Sequence, residues 1–167
     1  MSLKHLGQRV AVFIDVQNLY HSAKNLYGSR VNFKEVLKLA VSQRDLIRVF
    51  AYVVRTKTGE EKPFFDALTK LGIETKVRDL QEFYGGLKKA DWDVGITVDA
   101  IRISPSVDTI VLASGDGDFI QLIEYLKNQG KRTEVVAFGR SASSKLKEIA
   151  DEFIDIEKEP EKYLLKR

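Results

Sequence analysis

The stretch Val111–Ile123, VLASGDGDFIQLI, passes from a strand into a helix through an acidic turn. Its apolar start has the length and composition of a buried parallel strand, and its end has helical apolar spacing. Gly115 and Gly117 allow a tight turn that aims Asp116 and Asp118 the same way. A strand that feeds a helix in this manner is the repeating unit of a parallel α/β sheet, so this stretch sets the fold.

The same alternation extends along the chain in both directions. The predicted strands are Arg9–Ile14, Leu46–Val54, Ile73–Leu80, Thr109–Ala113, Thr133–Phe138 and, marginally, Phe153–Ile156. The predicted helices are Asn18–Tyr27, Phe33–Ala40, Glu60–Leu71, Asp91–Ile103, Gly117–Asn128 and Ala142–Ala150. The polar, glycine-bearing segment Glu82–Lys89 is predicted to be a loop.

This pattern predicts a single-domain, three-layer α/β/α sandwich of the Rossmann-like class, with a mostly parallel sheet of strand order 3-2-1-4-5. We expect the domain to span residues 1–156 and a charged C-terminal tail to span 157–167. Ligands of such sheets bind at the carboxyl ends of the strands, where the winding direction reverses. For this order the reversal lies between the first and fourth strands.

Composition excludes several kinds of site. The 167 residues carry a formal net charge of +3, are 44% hydrophobic and 31% charged, and include no cysteine. Disulfides and thiolate metal sites are therefore excluded, and two histidines, His5 and His21, make a histidine-built zinc site unexpected. No apolar stretch approaches a membrane span and no secretory pattern is present, so we expect a cytoplasmic protein without membrane contact.

Acidic residues follow both strands that flank the predicted reversal. Asp15 comes directly after the first strand, and Asp116 and Asp118 follow the fourth closely. Each has an ordinary interpretation: Asp15 as a turn residue, the other two as a loop end and a helix cap. Because these acids, distant in sequence, would meet at one crevice, a shared function is favoured.

The helix predicted at Asp91–Ile103 carries three more acids. Asp91 is typical of an N-cap, and Asp93 suits the helix dipole in the first turn. Asp99 is flanked by apolar residues, which indicates partial burial. Since Asp93 and Asp99 point about 120° apart on a helix, we expect one or two of these acids to reach the crevice.

Several ionised carboxylates in one crevice repel one another, and some would take up protons without a counter-charge. A hard divalent cation resolves this conflict, and Mg²⁺ or Mn²⁺ is the expected cofactor because the chain offers oxygen ligands. Such a site predicts metal-assisted phosphodiester hydrolysis.

Two alternatives remain open at this point. A haloacid-dehalogenase-type phosphatase also places an aspartate after its first strand, but it needs a second acid two residues on, where this chain has Gln17. A regulatory module that binds RNA or protein without turnover is the other alternative.

Four segments carry a resemblance to a known family: VAVFIDVQNLYHSAK (10–24), KKADWDVGITVDAI (88–101), DTIVLASGDGDFIQLIEYLKNQGKRTEVVAFG (108–139) and SSKLKEIADEFIDI (143–156). In these segments, which span nearly the whole chain, the sequence resembles the NYN domain family in its bacterial LabA-like branch, part of the PIN-like nuclease superfamily. The D-x-x-N at the end of the first strand and the S-G-D-x-D-F of the third segment are the specific features.

The resemblance implies a PIN-like fold and a ribonuclease that depends on Mg²⁺ or Mn²⁺. It implies catalytic and metal-binding roles for four acids: Asp15, Asp93, Asp116 and Asp118. Asn18 is implied to position the first acid or a phosphate, Ser114 opens the second acidic loop, and Asp99 is a further candidate acid.

Basic residues near the crevice are candidates for holding RNA, the expected partner. We favour Lys89, Arg55 and Arg140 as phosphate contacts. Tyr20, Tyr84 and Trp92 are candidates for stacking on unpaired bases. Solvated lysines and core aromatic residues are the ordinary interpretation of these side chains. A homodimer is left open.

Overall fold

The protein is described here by a computed structural model that covers residues 4–55, 62–82, 88–89 and 91–165. The strands are β1 (Arg9–Asp15), β2 (Asp45–Arg55), β3 (Glu74–Asp79), β4 (Gln81–Glu82), β5 (Lys88–Lys89), β6 (Thr109–Ala113), β7 (Arg132–Ala137) and β8 (Glu152–Asp155). The helices are α1 (Val16–Tyr27), α2 (Phe33–Val41), α3 (Lys62–Lys70), α4 (Asp93–Ile103), α5 (Ile120–Asn128), α6 (Ser144–Ile149) and α7 (Pro160–Tyr163). Short 3₁₀ turns occupy Ser104–Ser106, Gly117–Phe119 and Ile156–Lys158.

The main sheet has six strands in the order β3-β2-β1-β6-β7-β8, and each neighbouring pair is parallel. The predicted α/β/α fold and the order of its first five strands are confirmed. The marginal sixth strand joins the sheet as β8 beside β7. The winding direction reverses between β1 and β6, where the crevice is predicted.

Three local features differ from the predicted elements. The segment predicted as a loop contains a short antiparallel pair, β4 with β5. A 3₁₀ turn precedes α5 where a continuous helix is predicted. Helix α1 begins at Val16 rather than Asn18, because Asp15 caps it. The first two residues of the helix predicted at Glu60–Leu71 lie outside the described ranges.

Alternation along β1 divides its side chains between two apolar cores. Val10, Val12 and Ile14 belong to the core that α1, α2, α3 and α7 cover. Ala11 and Phe13 face the core that α4, α5 and α6 cover. A strand buried on both faces gives the residue at its end, Asp15, a firmly held backbone.

Buried charge near the amino ends of the strands is fully paired. Arg44 donates two hydrogen bonds of 2.8 Å to the Glu134 carboxylate, and neither side chain is exposed. Arg132 adds a third contact of 2.8 Å to Glu134. Burial alone would raise the pKa of Glu134, but these donors outweigh burial and hold it below its usual range.

The C-terminal segment packs on the domain as far as residue 165. Tyr163 is buried in the core, and Leu164 forms an antiparallel bridge with Val31. The Tyr27 hydroxyl donates a 2.7 Å hydrogen bond to Glu157. The division at residue 156 stays a prediction, while residues 157–165 contact the rest of the chain. Within the described ranges, no helix combines the length and apolar character needed to cross a bilayer.

Candidate metal centre

Asp15 ends β1 and begins α1 at the same time. Its carboxylate accepts a 3.3 Å hydrogen bond from the backbone N–H of Asn18, and through this bond Asp15 caps helix α1. The Ser114 hydroxyl donates a second bond of 3.0 Å. The register pairs Ile14 with Ala113, so the residues that follow these two lie side by side. Asp15 is 8% exposed and is therefore a nearly buried carboxylate.

The turn after β6 is held by bonds to its own side chains and to α1. The backbone N–H of Asp116 donates to the Ser114 hydroxyl at 3.2 Å, and that of Asp118 donates to the Asp116 carboxylate at 2.9 Å. The Asn18 side-chain oxygen accepts from the N–H of Gly115 at 2.9 Å. A Cβ on Gly115 would lie 2.8 Å from the Cα of Ala142, so this close approach requires glycine.

Asp93 brings a third carboxylate to this crevice from the start of α4. The helix begins at Asp93 rather than at the predicted Asp91, and Trp92, not Asp91, occupies its N-cap position. The backbone N–H of Asp93 donates to the Asp91 carboxylate at 3.2 Å, so Asp91 pairs with the first N–H of the helix from one residue before the cap. One carboxylate oxygen from each of Asp15, Asp93 and Asp116 lies within 4.8 Å of the others. We call these three residues the carboxylate cluster.

Burial and nearby negative charge make two members of the carboxylate cluster, Asp15 and Asp93, hard to ionise. Burial, followed by the charges of Asp116 and Asp91, raises the pKa of Asp15 to about 6 despite its hydrogen bonds. Burial, the charge of Asp116 and a hydrogen bond with Asp118 raise the pKa of Asp93 to about 7. The charges that act most strongly on both residues thus come from other carboxylates.

The donor set fits a hard divalent cation. Three carboxylate oxygens within 4.8 Å of one another are close enough to share one ion, and Mg²⁺ and Mn²⁺ prefer such oxygens. The residues that line the adjoining cleft of about 310 Å³ include no lysine or arginine. Among these residues the cluster has no lysine or arginine to neutralise it, so a bound metal ion would supply positive charge there.

The other predicted acids have different surroundings. Asp118 is exposed at the turn, close enough to share a hydrogen bond with Asp93. Asp99 lies outside the carboxylate cluster. Its carboxylate accepts from Tyr52 at 2.8 Å, Lys76 at 2.6 Å and Arg102 at 2.8 Å.

These partners explain the ionisation of Asp99. Burial opposes its charge, but the bonds from Lys76 and Tyr52 and the positive charges of Lys76 and Arg102 lower its pKa. Because this carboxylate is already neutralised, the structure assigns Asp99 a role between β2, β3 and α4 rather than at the metal centre.

The predicted phosphate contacts are placed as follows. Arg55 pairs with Asp79 at 2.8 Å, and Arg140 pairs with Glu157 at 2.7 Å. Lys89 lies in β5, and its side chain is outside the described part of the chain.

The predicted stacking residues differ from one another. Tyr84 lies outside the described residues. Tyr20 is exposed on α1 beside His21. Trp92 is half-buried and packs on Tyr52, with ring centroids 5.4 Å apart, so its ring is partly occupied by the protein.

Sequence analysis missed Arg78, whose guanidinium lies over Trp92 and bonds the backbone of Asp91. Its only signal is a basic residue near the end of the third predicted strand, which many strands carry. It also missed Gln17 and Ser141, which line the cleft beside the cluster.

The fold and the site together define an α/β protein with an acidic centre at the switch point of its sheet. The chain belongs to the NYN domain family, whose model matches residues 9–157, and thus to the PIN-like nuclease superfamily. NYN domains are in general nucleases, and nucleases of this kind typically use a divalent metal at an acidic cluster.

Individual relatives resemble the chain over most of its length. It is 28% identical over 156 residues to Low amplitude and bright protein LabA of Synechococcus elongatus, which covers 89% of this chain and 83% of LabA. It is 35% identical over 153 residues to an uncharacterized protein of Methanocaldococcus jannaschii, covering 90% of this chain and 56% of that protein. The crystal structure of a protein of unknown function from Vibrio parahaemolyticus superposes with a TM-score of 0.87 at 31% identity, covering 98% and 100% of the two chains.

Proposed function

We propose that this protein is a ribonuclease that depends on Mg²⁺ or Mn²⁺ and hydrolyses RNA phosphodiester bonds at the carboxylate cluster. The observation that carries the proposal is the meeting of three carboxylate oxygens within 4.8 Å at the switch point of the sheet. Membership of a family of nucleases supports the reaction class.

The residues of the site have different proposed roles that depend on their positions. Asp15 and Asp116 would hold the metal, and Asp93 and Asp118 would complete its ligands or orient the attacking water. When bound, a divalent cation neutralises charge on the phosphate and activates water. Ser114 and Asn18 hold the two acidic segments together through their hydrogen bonds to Asp15 and Gly115.

RNA would approach over the carboxyl edge of the sheet. Arg55 and Arg140 remain candidate phosphate contacts, and each would exchange a carboxylate partner for RNA phosphate. Lys89 remains a candidate on sequence grounds alone. The homodimer and the cytoplasmic location also stay predictions.

The decisive test is cleavage of a labelled single-stranded RNA with Mg²⁺, with Mn²⁺ and with a chelator. We expect cleavage with either metal, none with the chelator, and at least a hundredfold lower rate for Asp116→Asn. Asparagine keeps the oxygen that accepts the N–H of Asp118, so the turn should fold normally. Asp66→Asn, which removes an exposed acid from α3, is the matched control and should cleave like the parent.

Two results would contradict the proposal. Cleavage that survives the chelator or the Asp116→Asn substitution would rule out the metal mechanism. If the protein binds RNA but cleaves it with neither Mg²⁺ nor Mn²⁺, the non-catalytic binding module would instead be favoured.

A further inference from the structure

Arg78 differs from nearly all other described arginines in having no carboxylate partner. Ion pairs to acids are formed by Arg9, Arg44, Arg48, Arg55, Arg102, Arg132 and Arg140. Within the described ranges, Arg30 and Arg78 form none, and both are exposed. An exposed, unpaired arginine is ordinary on a protein surface. A role for Arg78 must therefore be inferred from the position of its side chain.

The guanidinium of Arg78 is fixed in place by two contacts. Its Nη1 donates a 2.7 Å hydrogen bond to the carbonyl oxygen of Asp91, and its centre lies 4.2 Å from the ring centroid of Trp92. The indole is itself anchored, because its Nε1 donates a 3.0 Å bond to the carbonyl of Val53 and its ring packs on Tyr52. A guanidinium held in this way has already lost much of its conformational freedom before any ligand arrives.

These contacts place Arg78 beside the segment that supplies Asp93. Asp91, whose carbonyl it bonds, is two residues before Asp93, so their Cα atoms are at most about 7 Å apart. Asp91 and Asp93 both line the cleft. Arg78 nevertheless forms no ion pair with the carboxylate cluster within the described residues, and its hydrogen bond goes to a backbone carbonyl instead.

The chemistry of the group indicates its ligand. A guanidinium has five N–H donors, and one of those on Arg78 is used. The remaining donors form the planar fork that binds phosphate oxygens in pairs. The residues that line the cleft include carboxylates, amides and one histidine but no lysine or arginine, so an RNA strand at the cluster would meet neither of these cations among them.

We propose that Arg78 is the RNA-binding residue that holds a backbone phosphate next to the one cleaved at the carboxylate cluster. The proposal rests on the proposed function for the identity of the strand, but its test measures binding and does not require turnover. Trp92 acts as the platform that presents the guanidinium.

The experiment compares variants by fluorescence anisotropy with a short labelled single-stranded RNA and Mg²⁺, all in an Asp116→Asn background that prevents cleavage. Arg78→Gln is expected to weaken binding about tenfold, the value of one charge-assisted contact. It should also reduce the slope of log affinity against log salt by about 0.7. Arg30→Gln is the matched control because Arg30 follows α1 at the opposite end of that helix from Asp15; we expect no more than about a twofold change.

Thermal melting distinguishes lost binding from lost structure. If Arg78→Gln melts well below Arg30→Gln, Arg78→Lys replaces it. Lysine keeps the charge but not the fork, so we expect several-fold weaker binding with the salt slope retained.

Unchanged affinity and slope in Arg78→Gln, or an equal loss in Arg30→Gln, would overturn the role of Arg78. That failure is separate from failure of the nuclease, which the cleavage assay reports on the parent protein. If the parent cleaves RNA, Arg78→Gln alone should raise KM about tenfold with kcat nearly unchanged.

Discussion

The Ser114 hydroxyl donates a 3.0 Å hydrogen bond to Asp15, across 99 positions of sequence. The same hydroxyl accepts a 3.2 Å bond from the N–H of Asp116. One small side chain therefore joins two members of the carboxylate cluster. Its position follows from the register of β1 and β6, which sets Ile14 beside Ala113.

Ser114→Ala is expected to lower Mn²⁺ affinity by about tenfold, because groups that orient ligands contribute on that scale. The fold should persist, since alanine fits the space of serine. Isothermal titration with Mn²⁺ measures the effect. Ser106→Ala, on the exposed 3₁₀ turn after α4, is the control and should bind the metal like the parent. Equal affinities for the two variants would contradict the role given to Ser114.

The stability of the metal-free protein is expected to fall as pH rises from about 4 to 7 through the ionisation of Asp15 and Asp93. Their folded pKa values of about 6 and about 7 lie above the ordinary 3.8, so the folded state binds more protons than the unfolded state over this range. The stabilisation is complete below the ordinary value and is lost as pH rises through the folded values.

Denaturant-induced unfolding in the presence of a chelator tests this predicted decrease in stability with rising pH. Asp93→Asn removes one of the two groups, so its free energy of unfolding should exceed that of the parent at pH 7 and approach it near pH 4. Added Mn²⁺ should stabilise the parent at pH 7 and have little effect at low pH, where protons compete for the ligands. A gap between parent and variant that narrows as pH rises would contradict the assignment.

Gly115→Ala is expected to weaken metal binding by displacing the acidic turn. The new Cβ would lie 2.8 Å from the Cα of Ala142, and this backbone contact cannot relax by rotating a side chain. A shift of the turn would also strain the bond from Gly115 to Asn18. Gly7→Ala, which meets nothing within 4 Å, should leave both the melting temperature and Mn²⁺ binding unchanged. Normal Mn²⁺ affinity in Gly115→Ala would show that the turn tolerates displacement.

Asp99→Asn is expected to destabilise the fold by about 2 kcal/mol and to leave Mn²⁺ binding intact. The substitution weakens bonds from Lys76, Tyr52 and Arg102 to a carboxylate whose side chain is 8% exposed. Asp79→Asn disrupts an exposed pair with Arg55 and should cost less than about 1 kcal/mol. Urea melts give both values. Loss of Mn²⁺ binding in Asp99→Asn would contradict this assignment and indicate that Asp99 takes part in the metal centre.

The convergence of Asp15 and Asp116 could be predicted because carboxyl ends of neighbouring parallel strands meet at one edge. Helical spacing predicts that Asp93 and Asp99 point apart, but it could not predict which of them faces the crevice, since Lys76 and Tyr52 reach Asp99 from strands far away in sequence. Burial of an acid predicts that it has a partner but does not predict which one. The position of Arg78 depends on how Trp92 packs, and strand alternation carries no information about that contact.

The contrast between the two ends of the strands has a practical consequence for spectroscopy. Glu134 already has Arg44 and Arg132 as donors, so a divalent ion gains little there, whereas the acids at the end of β1 and in the turn after β6 repel one another. A paramagnetic ion such as Mn²⁺ is therefore expected to bind at the carboxylate cluster rather than near Glu134. Line broadening in NMR spectra would then decrease with distance from this metal site. The bound Mn²⁺ would therefore serve as the reference point for measuring distances to a bound RNA strand.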